Sequence, residues 1–190
     1  MANTALQRTS RDQLSPEAGA AWDMLNGLTG EPAFIEAMAS APELLDFVMN
    51  QFYGAIFFGG RVEERFKQLL RLRLSLAHGC RSCNLQNVVG TRAAGYSEEA
   101  IASIEGDRAR FSEAEHAVLD FADQMVMTNG EGRLSADLHA RLSRHFDAAQ
   151  ICELAVVAGF IGGMAKMAFV LDLVERELTC PFVPASSAAA

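Results

Sequence analysis

Between residues 61 and 178 apolar and polar positions follow a helical pattern. Pro and Gly are sparse there, while Ala, Leu, Glu and Arg are common, a composition that favours helix. Upstream, Ser15-Pro16-Glu17-Ala18 reads as an N-cap with Pro at the first helical position, which predicts a helix to about residue 27. Gly30-Glu31-Pro32 breaks it. Two further helices are predicted over 32–40 and 42–58, the second opened by Ala41-Pro42-Glu43 and closed by the turn Phe57-Phe58-Gly59-Gly60. A helix over 62–77 begins with Glu63 and Glu64, which suit its positive N-terminus. Its centre, Leu70-Arg71-Leu72-Arg73-Leu74-Ser75-Leu76, alternates with period two, a strand signal. Helix is still the prediction, because good helix formers dominate and no other strand-like run is there to pair with it.

The pattern continues as helix over 80–94, stopped by Gly95. Ser97 caps the next, and Ser112-Glu113-Ala114-Glu115 opens another to about residue 127. After the turn Asn129-Gly130-Glu131-Gly132, helices over 135–146 and 147–178 complete the set. The tail from Pro181 reads as disordered. The prediction is a single all-α domain over 15–178, with an N-terminal extension at 1–14 and a flexible tail at 179–190. The most apolar stretch runs uncharged only from Leu154 to Ala165, bracketed by Glu153 and Lys166. A membrane span needs about 20 apolar residues, so a buried helix is expected. Segments 66–76 and 151–174 are apolar around most of their circumference, more than one small domain covers, which predicts a homo-oligomer.

Composition narrows the picture. The 190 residues are half hydrophobic, and 16 Lys and Arg against 24 Asp and Glu leave a net charge of −8. Such a balance argues against broad binding to nucleic acid or to an anionic membrane. The first eight residues lack the apolar core of a signal peptide. Four cysteines, at 80, 83, 152 and 180, are too few and too unevenly placed for a disulfide scaffold. A soluble protein of the reducing cytoplasm is expected.

Cys80 and Cys83 carry the clearest chemistry. In Ala77-His78-Gly79-Cys80-Arg81-Ser82-Cys83 they follow a glycine and open a helical run, so both thiols lie near a helix N-terminus. Dipole and free N–H groups there favour thiolate, the form that attacks peroxides and disulfides. Spacing of three sets the two side by side, able to close a disulfide. The bland alternative is a pair of small buried residues. Asn87 shares a helix face with Cys83. A zinc site would need two further ligands, and no second Cys-x-x-Cys or His-x-x-x-His exists, so no metal is expected. His78, two residues before Cys80, would lower a nearby thiol pKa if protonated; equally, it could bond the free carbonyls of a helix C-terminus. Arg81 adds positive charge nearby but reads as solvated. Arg71 and Arg73 are expected to pair with Glu63, Glu64 or a partner subunit, with a substrate anion as the lesser alternative. Glu153 sits in an apolar helix and needs a partner if buried. Cys152 reads as a core residue, Cys180 as a free thiol, and His116, His139 and His145 as surface residues. Trp22 and the twelve Phe read as core.

Several of these runs together resemble the carboxymuconolactone decarboxylase / alkylhydroperoxidase D superfamily. They are Ser40-Ala41-Pro42-Glu43-Leu44-Leu45, Phe58-Gly59-Gly60-Arg61-Val62-Glu63-Glu64-Arg65, the segment from Gln68 to Cys83, Ala93-Ala94-Gly95-Tyr96-Ser97-Glu98-Glu99-Ala100-Ile101, and the helix from Glu153 to Gly163. The likeness spans roughly residues 15–176. It implies an all-helical AhpD-like fold, assembled as a trimer, hexamer or related homo-oligomer, with no cofactor. In the alkylhydroperoxidase D members a Glu lies twelve residues before the first Cys and a His four after the second, forming a proton relay. The second Cys becomes a sulfenic acid on meeting peroxide, and the first donates a proton and then closes the disulfide. Carried over, Cys83 is the peroxidatic thiol and Cys80 its partner. This chain departs at both relay positions, with Gln68 for the Glu and Asn87 for the His. Neither amide titrates, so neither serves as general acid or base. Glu64, one turn before Gln68, or His78 could stand in.

The resemblance thus implies a thiol peroxidase that reduces peroxides with its Cys-x-x-Cys pair, uses a non-standard relay and is re-reduced by an external dithiol. Two alternatives remain. One is an enzyme of the decarboxylase branch acting on a small carbonyl or lactone. The other is a non-catalytic oligomeric binding protein on the same fold.

Overall fold

A computed structural model describes residues 6–182. Among them the chain forms nine α-helices. They are α1 (Pro16–Thr29), α2 (Ala33–Met38), α3 (Pro42–Asp46), α4 (Glu64–His78), α5 (Arg81–Ala93), α6 (Glu98–Ser103), α7 (Glu113–Met125), α8 (Ala136–Leu142) and α9 (Ala148–Val170). The expected disorder beyond residue 182 lies outside the described residues.

Capping residues set most of these boundaries. The Ser15, Ser97, Ser112 and Ser135 hydroxyls and the Asp147 carboxylate each accept a first-turn N–H, and Ser112 and Asp147 complete capping boxes with Glu115 and Gln150. Two expectations need correction. The helix expected over 42–58 is α-helical only to Asp46; Phe47–Phe58 winds as a wider π-helix. The helix expected over 147–178 ends at Val170. Asp172 takes a left-handed φ of 55°, and residues 171–182 leave as an irregular strap of turns and bends. That strap supplies the pairing absent from the sequence pattern, an isolated antiparallel bridge between Arg176 and Cys80.

α4 is the central element, packed against α5, α7 and α9, and this explains its period-two pattern. Leu70 and Leu74 enter a core with Phe52, Phe57, Val118, Leu142, Leu154 and Val157. Leu69 and Leu72 enter a second core with Tyr96, Ile104, Phe111 and Leu119 on the other side. A helix buried on two faces has apolar residues all round and loses the one-stripe signature.

Lys67 is fully buried on the same helix. Its ammonium donates to the Ile56 carbonyl (2.8 Å) and to Glu153 Oε1 on α9 (3.1 Å). The Glu153 carboxylate also accepts the N–H groups of Arg61 (2.7 Å) and Val62 (3.0 Å). Burial alone would raise its pKa. The two N–H groups and the ammonium outweigh that and hold it below the usual carboxylate range. Gly60 is required here, since a Cβ would run into this carboxylate and the Ile56 carbonyl.

α9 is long and apolar enough to cross a membrane by length and composition. In the fold, Glu153, Leu154, Val157, Ala158, Ala165 and Phe169 are buried against the bundle. Its outer stripe, Cys152, Val156, Gly159, Gly163, Lys166 and Val170, is exposed. Cys152 is therefore a surface thiol, not the core residue expected: position 152 falls one residue before the inward-facing Glu153 and Leu154.

Candidate functional site

α4 and α5 meet at a two-residue joint that builds the site. Gly79 ends α4 in the left-handed conformation (φ 63°), its N–H returning to the Leu76 and Ser75 carbonyls. Cys80 follows in extended conformation and is the N-cap of α5. Its sulfur accepts the Cys83 N–H at 3.3 Å, taking the place a serine hydroxyl holds in other helices. Cys80 and Cys83 are joined as a disulfide with Cα atoms 5.2 Å apart. Cys80 has no exposed surface, whereas Cys83 is half-buried, so of the two only Cys83 keeps surface open to solvent.

The two relay positions are both buried beside α5. Gln68 Nε2 donates to Glu64 Oε1 (2.9 Å), and Gln68 Oε1 is buried without a hydrogen bond, where a Cβ on Gly90 would meet it. Asn87 Nδ2 donates to the Arg71 carbonyl (3.2 Å). Among the described residues neither amide hydrogen-bonds a cysteine sulfur. The structure therefore brings Glu64 to Gln68, and places Asn87 one turn from Cys83. Glu64 itself is exposed.

His78 is turned into the protein. It has no exposed surface, and its Nε2 accepts the Met127 N–H at 3.2 Å. That differs from the helix-end role considered above, in which the ring would donate to carbonyls. Burial, with the charge of Arg73 adding, pushes the imidazole down to about 4. At neutral pH it is an uncharged acceptor. The unfolded chain binds a proton at His78 near pH 6.5 and the fold does not until about pH 4. Stability is complete above pH 6.5 and is lost as pH falls towards 4, by about 3 kcal/mol from this group. Urea midpoints measured from pH 7 to 4 will fall less steeply in His78→Gln, whose amide oxygen keeps the acceptor but does not titrate.

Two of the three arginines near the site are committed to carboxylates elsewhere. Arg81 is not merely solvated: it pairs with Glu31, which raises its pKa. Glu31 also accepts the Glu175 N–H (2.9 Å), so this pair ties α5 to the loop after α1 and to the strap. Arg73 does not reach Glu63 or Glu64. It pairs with Asp123 on α7 (2.5 Å) and Glu105 (3.5 Å), because α7 rather than its own first turn lies beside it. Arg71 has no carboxylate partner among the described residues and lies over the rings of Phe57 (5.0 Å) and Tyr53 (5.9 Å).

Two grooves are open to solvent. One, of about 470 Å³, is lined by Arg73, Glu105, Asp123 and neighbours; the other, of about 640 Å³, by Arg8, Glu31, Glu36, Glu175, Arg176 and neighbours. Neither is lined by Cys80 or Cys83. Among the described residues no group of three or more His, Cys, Asp or Glu is placed to hold a metal. Sequence reasoning missed the strap that covers Cys80 and the placement of Cys180 on Gly79; no local pattern in residues 171–182 marks either.

The carboxymuconolactone decarboxylase family model matches residues 42–124. Among solved structures, a protein of unknown function from Agrobacterium tumefaciens, proposed as an AhpD antioxidant defence protein, is 27% identical with a TM-score of 0.62, covering 70% of this chain and 91% of that one. The alkylhydroperoxidase AhpD core of an uncharacterised peroxidase-related protein from Ralstonia eutropha JMP134 is 14% identical with a TM-score of 0.67, covering 92% and 93%. The debrominase Bmp8, in a cysteine-to-alanine variant bound to 2,3,4-tribromopyrrole, is 16% identical with a TM-score of 0.70, covering 93% and 94%. No curated protein matches by sequence.

Proposed function

We propose that this chain, which has the AhpD-like fold and a carboxymuconolactone decarboxylase family segment over residues 42–124, is a cytoplasmic thiol oxidoreductase that reduces peroxides through Cys83 and Cys80. The observation that carries the reading is the Cys80–Cys83 disulfide at the N-terminus of α5, with one sulfur buried as N-cap and the other reachable. The Cys83 thiolate attacks a peroxide oxygen; the O–O bond breaks, an alcohol leaves after taking a proton, and Cys83 becomes a sulfenic acid. Cys80 then attacks Cys83 sulfur, forming the S–S bond and releasing water. An external dithiol returns both to thiols. Glu64 accepts a hydrogen bond from Gln68 and is the carboxylate proposed to stand in for the relay. His78 is withdrawn from this role by its burial and its bond to Met127.

The binding-protein alternative would be favoured by a ligand-sized apolar pocket without reachable ionisable groups. The two grooves described above are lined by charged residues and do not provide such a pocket. The test is a mass measurement of the Cys80–Cys83 peptide after reduction and brief exposure to dilute peroxide. Loss of two hydrogens in that peptide is expected. If both thiols stay free, or only Cys152 or Cys180 reacts, the peroxidase reading is wrong.

The same reading includes a homo-oligomer. Phe47 and Phe58 are each about half exposed (49% and 54%), as is Val156 (54%) on the outer stripe of α9. Gly159 and Gly163 let another backbone approach that stripe. Light scattering at micromolar concentration is expected to give a multiple of the chain mass, and Val156→Asp to lower it. A monomer in the unaltered protein would sink this expectation.

A further inference from the structure

Three arginines lie on α4, and two of them hold a carboxylate of α7: Arg65 pairs with Glu115 and Arg73 with Asp123. Arg71 holds none among the described residues. Its guanidinium lies over the rings of Phe57 and Tyr53, and its Nε is buried without a hydrogen bond. A half-buried cation without a counter-charge is costly. One turn away, Gln68 is only 2% exposed. Its Nε2 is spent on Glu64, which leaves Oε1 a buried acceptor with no donor. The two side chains converge over Gly90 of α5, where an added Cβ would meet Gln68 Oε1 at 2.6 Å and Arg71 Nη2 at 3.1 Å. An unmet acceptor and an unpaired cation this close, not bonded to each other, mark a space that the protein's own groups leave unsatisfied. Arg71, Tyr53 and Gly90 all keep part of their surface open there.

We infer that Arg71, Gln68 and Tyr53 form a binding site for an organic carboxylate that carries a hydroxyl beside it. The carboxylate takes the fork of the Arg71 guanidinium. The neighbouring hydroxyl donates to Gln68 Oε1, and the apolar body of the molecule rests on the Tyr53 ring. The inference rests on the thiol-oxidoreductase reading in one respect, that this molecule is the far end of the substrate. Cys83, Asn87 and Gly90 lie on one face of α5, and seven residues of helix rise by about 10 Å. A peroxide held by Arg71 at one end therefore presents its other end along the face that carries Cys83.

The experiment is calorimetric titration of the oxidised full chain with mandelate, in which carboxylate, hydroxyl and aromatic ring are adjacent. Mandelamide lacks the charge and phenylacetate lacks the hydroxyl. Mandelate is expected to bind best, and Arg71→Gln to weaken it about 10-fold or more while leaving mandelamide unchanged. Arg71→Lys, which keeps the charge but not the fork, is expected to fall between the two. If the three compounds bind alike, or none binds at millimolar concentration, the inference is overturned. It is also overturned if Arg71→Gln leaves mandelate binding intact but lowers the assembly mass in light scattering, which would assign Arg71 to a carboxylate of a second copy. No thiol reacts in this titration, so its failure is distinct from failure of the peroxidase reading, which shows as free Cys80 and Cys83 thiols after peroxide.

Discussion

Glu153→Ala is expected to cost about 3–5 kcal/mol, the usual loss when one partner of a buried ion pair is removed. The change leaves the Lys67 ammonium with no exposed surface and only the Ile56 carbonyl for company. It also strips the Arg61 and Val62 N–H groups of their acceptor. Glu153→Gln keeps an acceptor for the N–H groups but not the charge, so the ammonium is still stranded. Adding Lys67→Met to Glu153→Gln removes that ammonium, and most of the loss is expected to return, since apolar replacement of a buried pair is often near neutral. Urea midpoints at constant slope measure each step. A loss below about 1 kcal/mol in Glu153→Ala would show that the pair does not hold the turn before α4 in place.

Gln68→Glu with Asn87→His is expected to raise peroxide turnover by about 10-fold or more, given that a positioned acid or base typically contributes 10²–10⁴-fold. A carboxyl at position 68 would lie within hydrogen-bond reach of Glu64, in a nearly buried site. Like charge and burial would both raise its pKa towards the range useful at neutral pH. An imidazole at position 87 stands one turn from Cys83. Initial rates of peroxide consumption with dithiothreitol as reductant read the effect. If Glu64 already supplies the base, Glu64→Gln lowers the rate and the double change adds little. If no variant turns over peroxide while Cys83→Ser keeps whatever activity the chain has, thiol chemistry leaves the account.

What the sequence determined by itself was local. Ser15, Ser97, Ser112, Ser135 and Asp147 each set a helix start through their own first turn. The Cys80–Cys83 spacing needed only a helix opening behind Gly79, which short-range chemistry supplies. Absence of a titratable group at 68 and 87 is a matter of residue identity alone. Tertiary structure decided everything that depends on what lies opposite. The alternation from Leu70 to Leu76 is a helix because two cores flank α4, and a one-dimensional pattern cannot count faces. Arg73 chose Asp123, fifty positions away, over Glu64 on its own helix. His78, two residues before Cys80, was turned by burial towards Met127. The chain after Val170 left its helix to pair with Cys80, and so set Cys180 on Gly79. Caps and spacings act over one turn and are written in adjacent residues. Ion pairs, burial and strap pairing act between segments many residues apart, and only the packed chain brings those together.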